Sequence, residues 1–173
     1  MKRLIALVTA GLMATSSFAI LFETESNNDF ASANLIARGT SPWSDIGIMR
    51  LGGTGGDIDF FKISLEVGET IMVMTTPMEV EFDTPDTMLG IFDFSGALVA
   101  FNDDAGGLGS AVRYTATSTE DHYIGVTGFP DGDFVGDHAQ VGDYVLLVGV
   151  VPEPATMTAL ALGGAFLLRR RKK

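Results

Sequence analysis

The chain contains no cysteine, only two histidines and a single tryptophan among its 173 residues. Without cysteine there is no disulfide framework, no thiol nucleophile and no thiolate metal site. A domain of this composition is therefore stabilised by its hydrophobic core or by a bound metal. The length fits one domain of ordinary size once the two terminal segments are set apart.

Positive charge is scarce in the middle of the chain. The only formal cations there are Arg38, Arg50, Lys62 and Arg113, whereas every acidic residue of the chain except Glu153 lies in this part. Such a surface repels nucleic acid and anionic lipid and attracts cations. We therefore exclude nucleic acid as a partner.

Residues 1–19 have the three parts of a secretory signal peptide. Lys2 begins a charged start, residues 4–13 form an apolar stretch, and small residues follow it up to Ala19. We predict export and cleavage by signal peptidase between Ala19 and Ile20. The alternative is a buried N-terminal helix, which rarely carries such flanking residues.

The C-terminal segment combines a proline motif, an apolar stretch and a basic cluster. These parts are Val151, Pro152, Glu153 and Pro154, then residues 155–168, then residues 169–173. A helix over the apolar stretch would be about 21 Å long, which is short of a hydrocarbon core about 30 Å thick. Processing signals have this design, and a permanent C-terminal anchor is the alternative.

In this order, the three parts resemble the PEP-CTERM sorting signal of Gram-negative bacteria. The resemblance implies that an exosortase, a membrane-embedded enzyme similar to cysteine proteases, recognises the Pro-Glu-Pro motif within residues 151–173. It implies transient residence in the inner membrane, followed by a location at the cell surface or in the extracellular matrix. Substrates of that family are associated with exopolysaccharide and biofilm production, so matrix exopolysaccharide is an expected partner.

The part between the two ends, residues 20–150, has the pattern of an all-β domain. Short apolar or alternating runs recur at intervals of about ten residues, separated by turn-rich segments, as in a β-sandwich or barrel. The predicted strands are residues 46–51, 59–65, 69–76, 88–92, 97–101, 112–117, 122–126 and 144–151. We predict one hairpin across residues 93–96 and a second across residues 118–121. Residues 30–37 are the one candidate for a short helix.

Several pieces of this domain, taken in order, resemble the bacterial pre-peptidase C-terminal domain. They are residues 23–33, 56–63, 67–69, 86–92, 102–104, 123–126 and 142–146. The resemblance implies a jelly-roll-like antiparallel β-sandwich, flanked here by the signal helix and the C-terminal hydrophobic helix. Members of that family usually accompany secreted proteases, and some bind collagen, polysaccharide or calcium. No protease domain accompanies it in this sequence.

A calcium site is the most plausible ligand site. Calcium takes carboxylate, amide and carbonyl oxygens as ligands, and acidic and amide side chains adjoin one another near residue 25. The candidate ligands there are Glu23, Glu25, Asn27 and Asn28. In calcium-binding relatives this segment works with aspartates before the second strand, and the resemblance places Asp57 and Asp59 in that role. The alternative is a solvated acidic edge.

Two other patterns are weaker. Residues 131–142 start like an EF-hand, but Val135 and Gly142 stand at ligand positions, so we interpret the segment as an acidic loop. Ser110 and His122 suggest a catalytic triad, yet neither Gly-x-Ser-x-Gly nor His-Glu-x-x-His occurs. We therefore predict a non-catalytic module of the cell surface or exopolysaccharide matrix. The alternatives are an adhesin for polysaccharide or protein and, with less support, a secreted hydrolase.

Overall fold

The structure, a computed structural model, describes residues 20–52, 56–79 and 83–152. The predicted signal peptide with Ala19, and the tail from Glu153 and Pro154 onward with its predicted helix, lie outside the described residues. The described part contains no helix with the length and apolar content needed to span a bilayer. The predicted all-β fold is confirmed, because the described residues form nine strands in two sheets.

The nine strands pack as a sandwich. They are β1 (Asn34–Leu35), β2 (Trp43–Leu51), β3 (Asp59–Leu65), β4 (Thr70–Pro77), β5 (Thr87–Phe92), β6 (Leu98–Asn102), β7 (Ala111–Thr115), β8 (Glu120–Gly128) and β9 (Gly142–Val151). The five-stranded sheet has the order β1-β3-β8-β5-β6, and the four-stranded sheet has the order β2-β9-β4-β7. Apart from the short parallel pair β1–β3, neighbouring strands are antiparallel.

One predicted hairpin is confirmed and the other is wrong. Strands β5 and β6 pair across a turn in which the Asp93 carboxylate accepts hydrogen bonds from the amides of Ser95 and Ala97. Strands β7 and β8, in contrast, belong to different sheets. Two backbone hydrogen bonds connect Ala116 to the start of β4, so the chain after β7 must cross to the other sheet before β8 begins.

The suggested helix at residues 30–37 is also wrong. The Asp29 carboxylate accepts hydrogen bonds from the amides of Ala31 and Ser32, which closes a turn. Residues 34–35 then pair with β3 as strand β1. An Asp side chain that binds nearby amides competes with helix formation, and this explains the difference.

The main core lies between the two sheets. Strands of the four-stranded sheet alternate between buried and more exposed residues, as β2 and β9 demonstrate. Their inward side chains meet the inward side chains of β3, β5 and β8. This alternation is the pattern of a sheet with one buried face, and it is the pattern from which the strands were predicted.

The five-stranded sheet is buried on both faces along β5 and most of β8, whereas its edge strand β6 is largely exposed. Its outer face carries an aromatic cluster: Phe30, Phe60, Phe92, Tyr123 and Phe134. Gly90 and Gly125, which pair across β5 and β8, make room for this cluster. A Cβ atom on Gly90 would lie 2.7 Å from the Phe134 ring, and one on Gly125 would lie 2.8 Å from the Phe60 ring.

Candidate metal centre

The N-terminal segment, residues 21–28, is fastened to both sheets. The Leu21 amide donates to the Ile46 carbonyl of β2 (3.0 Å), and the Phe60 amide of β3 donates to the Asn27 carbonyl (3.0 Å). Between these points, the Thr24 backbone exchanges hydrogen bonds with the Asn34 side chain. The segment is therefore held against the end of the sandwich where β3 begins.

Three carboxylates converge at this place. One oxygen each from Glu23, Glu25 and Asp59 lies within 4.8 Å of the other two. Glu25 is exposed, Glu23 is partly buried and Asp59 is completely buried. The segment thus brings two of its acidic side chains next to the first residue of β3.

Asp59 lies in an unusual environment for an acidic residue. Its Oδ2 accepts a hydrogen bond of 2.5 Å from the hydroxyl of Tyr144, which is itself fully buried in β9. Burial raises the pKa of Asp59 well above its usual range, and the close, like-charged Glu23 carboxylate raises it further. The pKa of Tyr144 is also well raised, first by burial and then by the Asp59 charge.

Glu25 is affected by the same crowding. Although its side chain is mostly exposed, the loss of some hydration beside its neighbours raises the pKa of Glu25, and the charges of Asp57 and Glu23 raise it further. Like charges at this distance disfavour one another's ionised form. The arrangement is therefore electrostatically costly for the protein alone, and a bound cation would remove that cost.

Several polar atoms at this site have no partner in the described part of the chain. Glu23 uses Oε2 to accept from the Arg50 amide (2.8 Å), but its buried Oε1 accepts nothing. The buried Oδ1 of Asp59 and both side-chain polar atoms of Asn27 are likewise unpartnered. Buried polar atoms normally have partners, so the oxygens among these atoms are candidate ligands for a cation.

The other two predicted ligands, Asn28 and Asp57, line the open groove beside Glu23 and Glu25. Asp57 is buried, and its Oδ2 accepts from the Gly52 amide (2.8 Å), which ties Asp57 to the end of β2. Sequence reasoning did not find Tyr144 or the Arg50 amide. No local signal identifies them, because both contacts join positions far apart in the chain.

The chemistry of this site suits a hard cation. The converging donors are carboxylate and amide oxygens, and neither of the two histidines belongs to the group. Oxygen-only sites with several carboxylates select calcium or magnesium over zinc and copper. The donor atoms are therefore of the kind that a hard cation takes, and calcium at this position stays a prediction.

The two weaker sequence patterns have structural explanations. In the loop before β9, the buried Asp131 carboxylate accepts from the Thr127 hydroxyl and from the Val135 and Gly136 amides, so it organises the loop. The Ser110 hydroxyl donates to the Thr87 carbonyl (2.7 Å) and is fully buried. The buried His122 ring has its own nearest acceptor at the Glu120 carbonyl (3.2 Å). Among the described residues no hydrogen bond joins Ser110 to His122.

Comparisons with known proteins gave similarities for the C-terminal segment and, separately, for the β-sandwich. The profile of the PEP-CTERM protein-sorting motif matches residues 150–172. A search of curated proteins gave no match. The chain therefore carries this sorting motif, and the prediction from Val151, Pro152, Glu153 and Pro154 is confirmed at the level of the motif.

Three solved structures are similar in fold to this chain. PliG of Aeromonas hydrophila, a periplasmic inhibitor of g-type lysozyme, superposes with a TM-score of 0.50 at 13% identity over 78% of this chain and 99% of that chain. The pre-peptidase C-terminal domain of a Bacillus anthracis collagenase gives 0.48 at 17% identity over 67% and 93%. PliG of Salmonella Typhimurium gives 0.38 at 12% identity over 79% and 99%.

The fold and the sorting motif together define a class: an exported β-sandwich protein that acts outside the cytoplasm. The motif further implies that an exosortase-type enzyme processes it.

Proposed function

We propose that this protein is a non-catalytic, calcium-stabilised module of the cell surface or exopolysaccharide matrix. It would be released from the inner membrane when the exosortase-type enzyme removes its tail. Its contribution would be a rigid acidic surface that binds calcium and associates with matrix polymer. The observation that carries the calcium part is the group of unpartnered buried oxygens on Glu23, Asn27 and Asp59.

Calcium would connect two parts of the sandwich. Its ligands come from the N-terminal segment (Glu23, Glu25) and from the start of β3 (Asp59), which are joined otherwise by a few hydrogen bonds. The same segment continues directly to Phe30, which packs on the aromatic cluster. A bound ion would therefore fix both the segment and the ring that follows it.

A thermal melt of the mature domain with EDTA or with millimolar calcium tests this proposal. A ligand held only by the folded state stabilises it by about 2.7 kcal/mol at a concentration one hundred times its Kd. Glu25→Gln keeps the size of an exposed side chain while removing one charge, so it should reduce the calcium response. Asp133→Asn removes an exposed charge in the loop before β9 and serves as the matched control. An unchanged melting temperature in calcium would refute the site.

The absence of turnover is part of this proposal. Ser110 and His122, the residues with a suggestion of hydrolase chemistry, are both fully buried. Assays of the purified protein on esters, peptides and glycans should therefore find no hydrolysis. Activity that disappears in the Ser110→Ala, His122→Gln double variant would overturn this part.

An adhesin is the second candidate. The outer face of the four-stranded sheet exposes apolar side chains of the kind that mark interaction surfaces: Ile46, Ile48, Met72, Met74 and Leu147. Saturable binding to one polymer on a glycan array, lost in Ile48→Asp, would favour this candidate over a purely structural module.

A further inference from the structure

The sorting motif begins inside the folded core. Val150, the first residue matched by the motif profile, is fully buried and pairs with Trp43 of β2 and Ile71 of β4. Val151 pairs with Thr70 and is the last residue of β9, a strand flanked on both sides in its sheet. No linker therefore separates the sandwich from Pro152, where the missing amide of proline ends the strand pairing.

Hydrogen bonds hold the chain segments around Pro152 against the sandwich. Pro152 lines a groove with residues 38–41 and 66–69, and we call these residues the end surface. Two hydrogen bonds of 2.8 Å join the Arg38 guanidinium to the Glu69 carboxylate. The turn at 66–69 is held by hydrogen bonds from the Val67 amide to Thr119 and from the Gly68 amide to Ala116. Both sides of the groove are thus fixed to the sandwich.

Chain length limits how far the motif can extend from this surface. Three extended residues reach at most about 11 Å. An enzyme that binds Pro152, Glu153 and Pro154 must therefore contact the end surface, or else the end of β9 must separate from its neighbours. Separation would expose Val150 and break the pairing of a central strand, which is costly.

We propose that the end surface is the docking surface for the membrane-embedded processing enzyme, and that the motif is read while β9 remains paired in its sheet. This inference rests on the proposed processing by an exosortase-type enzyme. It adds that the folded domain is part of what that enzyme recognises. Side chains around the groove, such as the exposed Val67, then determine how closely the folded domain and the processing enzyme can pack against each other.

A disulfide tests whether β9 stays paired. Met72 and Gly149 are direct cross-strand partners, and such pairs have Cα atoms about 4.5–5.5 Å apart, within the range of disulfides. A Cβ atom at Gly149 would meet its nearest neighbour at 3.9 Å, so Met72→Cys with Gly149→Cys is sterically permitted. The absence of other cysteines makes the bond unambiguous. Met74→Cys with Leu147→Cys, two positions further from the motif, is the control.

The full-length chain is expressed in a Gram-negative host that carries an exosortase, and tail removal is followed by pulse-chase and mass spectrometry. We expect both oxidised variants to be processed within about twofold of the parent, because a cross-link of native geometry leaves the paired strand unchanged. If the bond at 72–149 stops processing while the bond at 74–147 permits it, the end of β9 must open and the inference is wrong.

A surface substitution tests the docking itself. Val67 is 61% exposed on the end surface, and Val135 is 66% exposed in the loop before β9, at the opposite end of that strand. Val67→Arg should slow tail removal by about fivefold or more, because a large charged side chain in a contact surface opposes docking. Val135→Arg should have no effect.

A linker between the sandwich and the motif should restore the processing of Val67→Arg. About eight Gly and Ser residues inserted between Val151 and Pro152 give a mean separation of about 16 Å, so Val67→Arg should then be processed at the rate of the parent with the same linker. Equal processing of Val67→Arg and the parent without a linker would overturn the docking surface alone. No processing of the parent would contradict the sorting function as well, whereas the calcium melt is independent of either result.

Discussion

The two outer faces of the sandwich differ sharply. The covered face, on the five-stranded sheet, carries the aromatic cluster of Phe30, Phe60, Phe92, Tyr123 and Phe134. The open face, on the four-stranded sheet, carries exposed Ile46, Ile48, Met72, Met74 and Leu147. One face contributes to the core of the fold, and the other leaves apolar side chains in contact with solvent.

The covered face owes its burial to chain segments outside the strands. Phe134 comes from the loop before β9, and its ring lies 5.1 Å from that of Phe92. Phe30 comes from the end of the N-terminal segment and stacks on Tyr123 at 4.4 Å. Aromatic pairs at these separations add to the stabilisation by area burial alone. The stability of the covered face therefore depends on the loop and on the calcium-site segment.

Removing the Phe134 ring, which comes from the loop before β9, should have the largest effect on the free energy of unfolding. Phe134→Ala should lower the free energy of unfolding by about 3 kcal/mol, because it leaves a cavity over Gly90 and Gly125. Phe129→Ala, in the same loop but 46% exposed, should cost much less. Urea denaturation of both variants measures the difference, and equal costs would mean that the aromatic cluster is not a second core.

The presence or absence of calcium at the proposed site should have the next largest effect on stability, and this effect should depend on pH. In EDTA, the raised pKa of Asp59 means that the folded protein binds more protons than the unfolded chain at pH values above about 3.8. Stability from this group is therefore present at low pH and is lost as the pH rises through the raised pKa. Calcium should restore the stability lost at neutral pH, since the cation replaces the proton.

Asp59→Asn should flatten this pH dependence in EDTA and remove the response to calcium. The amide keeps the shape of the side chain and carries no ionisable proton. Melting curves between pH 4 and pH 8, with Asp133→Asn as the charge control, measure both effects. A parent protein whose stability in EDTA rises steadily over this range would contradict the assignment.

A methyl group added beneath the aromatic cluster should have a smaller effect on the free energy of unfolding. Gly125→Ala places a Cβ atom 2.8 Å from the Phe60 ring and 3.0 Å from the Phe92 ring. Crowding of this kind costs about 1–3 kcal/mol, so we expect about 2 kcal/mol by urea denaturation. Gly149→Ala on the open face, where the nearest atom is 3.9 Å away, should be tolerated. Similar costs at the two glycines would show that the faces do not differ in packing.

The open face should give the smallest effect on stability. Ile48 is 63% exposed in β2, and Ile48→Thr keeps a β-branched side chain on that strand. Surface substitutions of this type change stability by about 0.5 kcal/mol or less. Denaturation curves that differ by more than this would mean that the open face is packed against something.

The sequence was sufficient for most strands because each is a short apolar or alternating run bounded by turn residues. Strand β3 has the predicted bounds, and the hairpin at Asp93 follows from its turn residues. The partner of β7 was not predictable in this way, since a short amphipathic strand fits either sheet. That choice depends on contacts with β4, whose residues lie about forty positions earlier.

In the candidate site, too, some features could be proposed from the sequence and others are visible only in the structure. Glu23 and Glu25 were proposed because acidic and amide side chains adjoin one another near residue 25, and Asp59 because the family resemblance places it beside that segment. The hydrogen bond from Tyr144 to Asp59 joins residues 85 positions apart, and no local pattern predicts it. The side-chain amide of Asn27 was expected among the ligands, and its complete burial could be learned only from the structure.

The most direct test of the whole account is the intact mass of the protein recovered outside the cell. We predict a chain that begins at Ile20 and has lost the tail that follows the Pro-Glu-Pro motif. Recovery of the uncut 18.3 kDa polypeptide, still ending in Lys173, would contradict it.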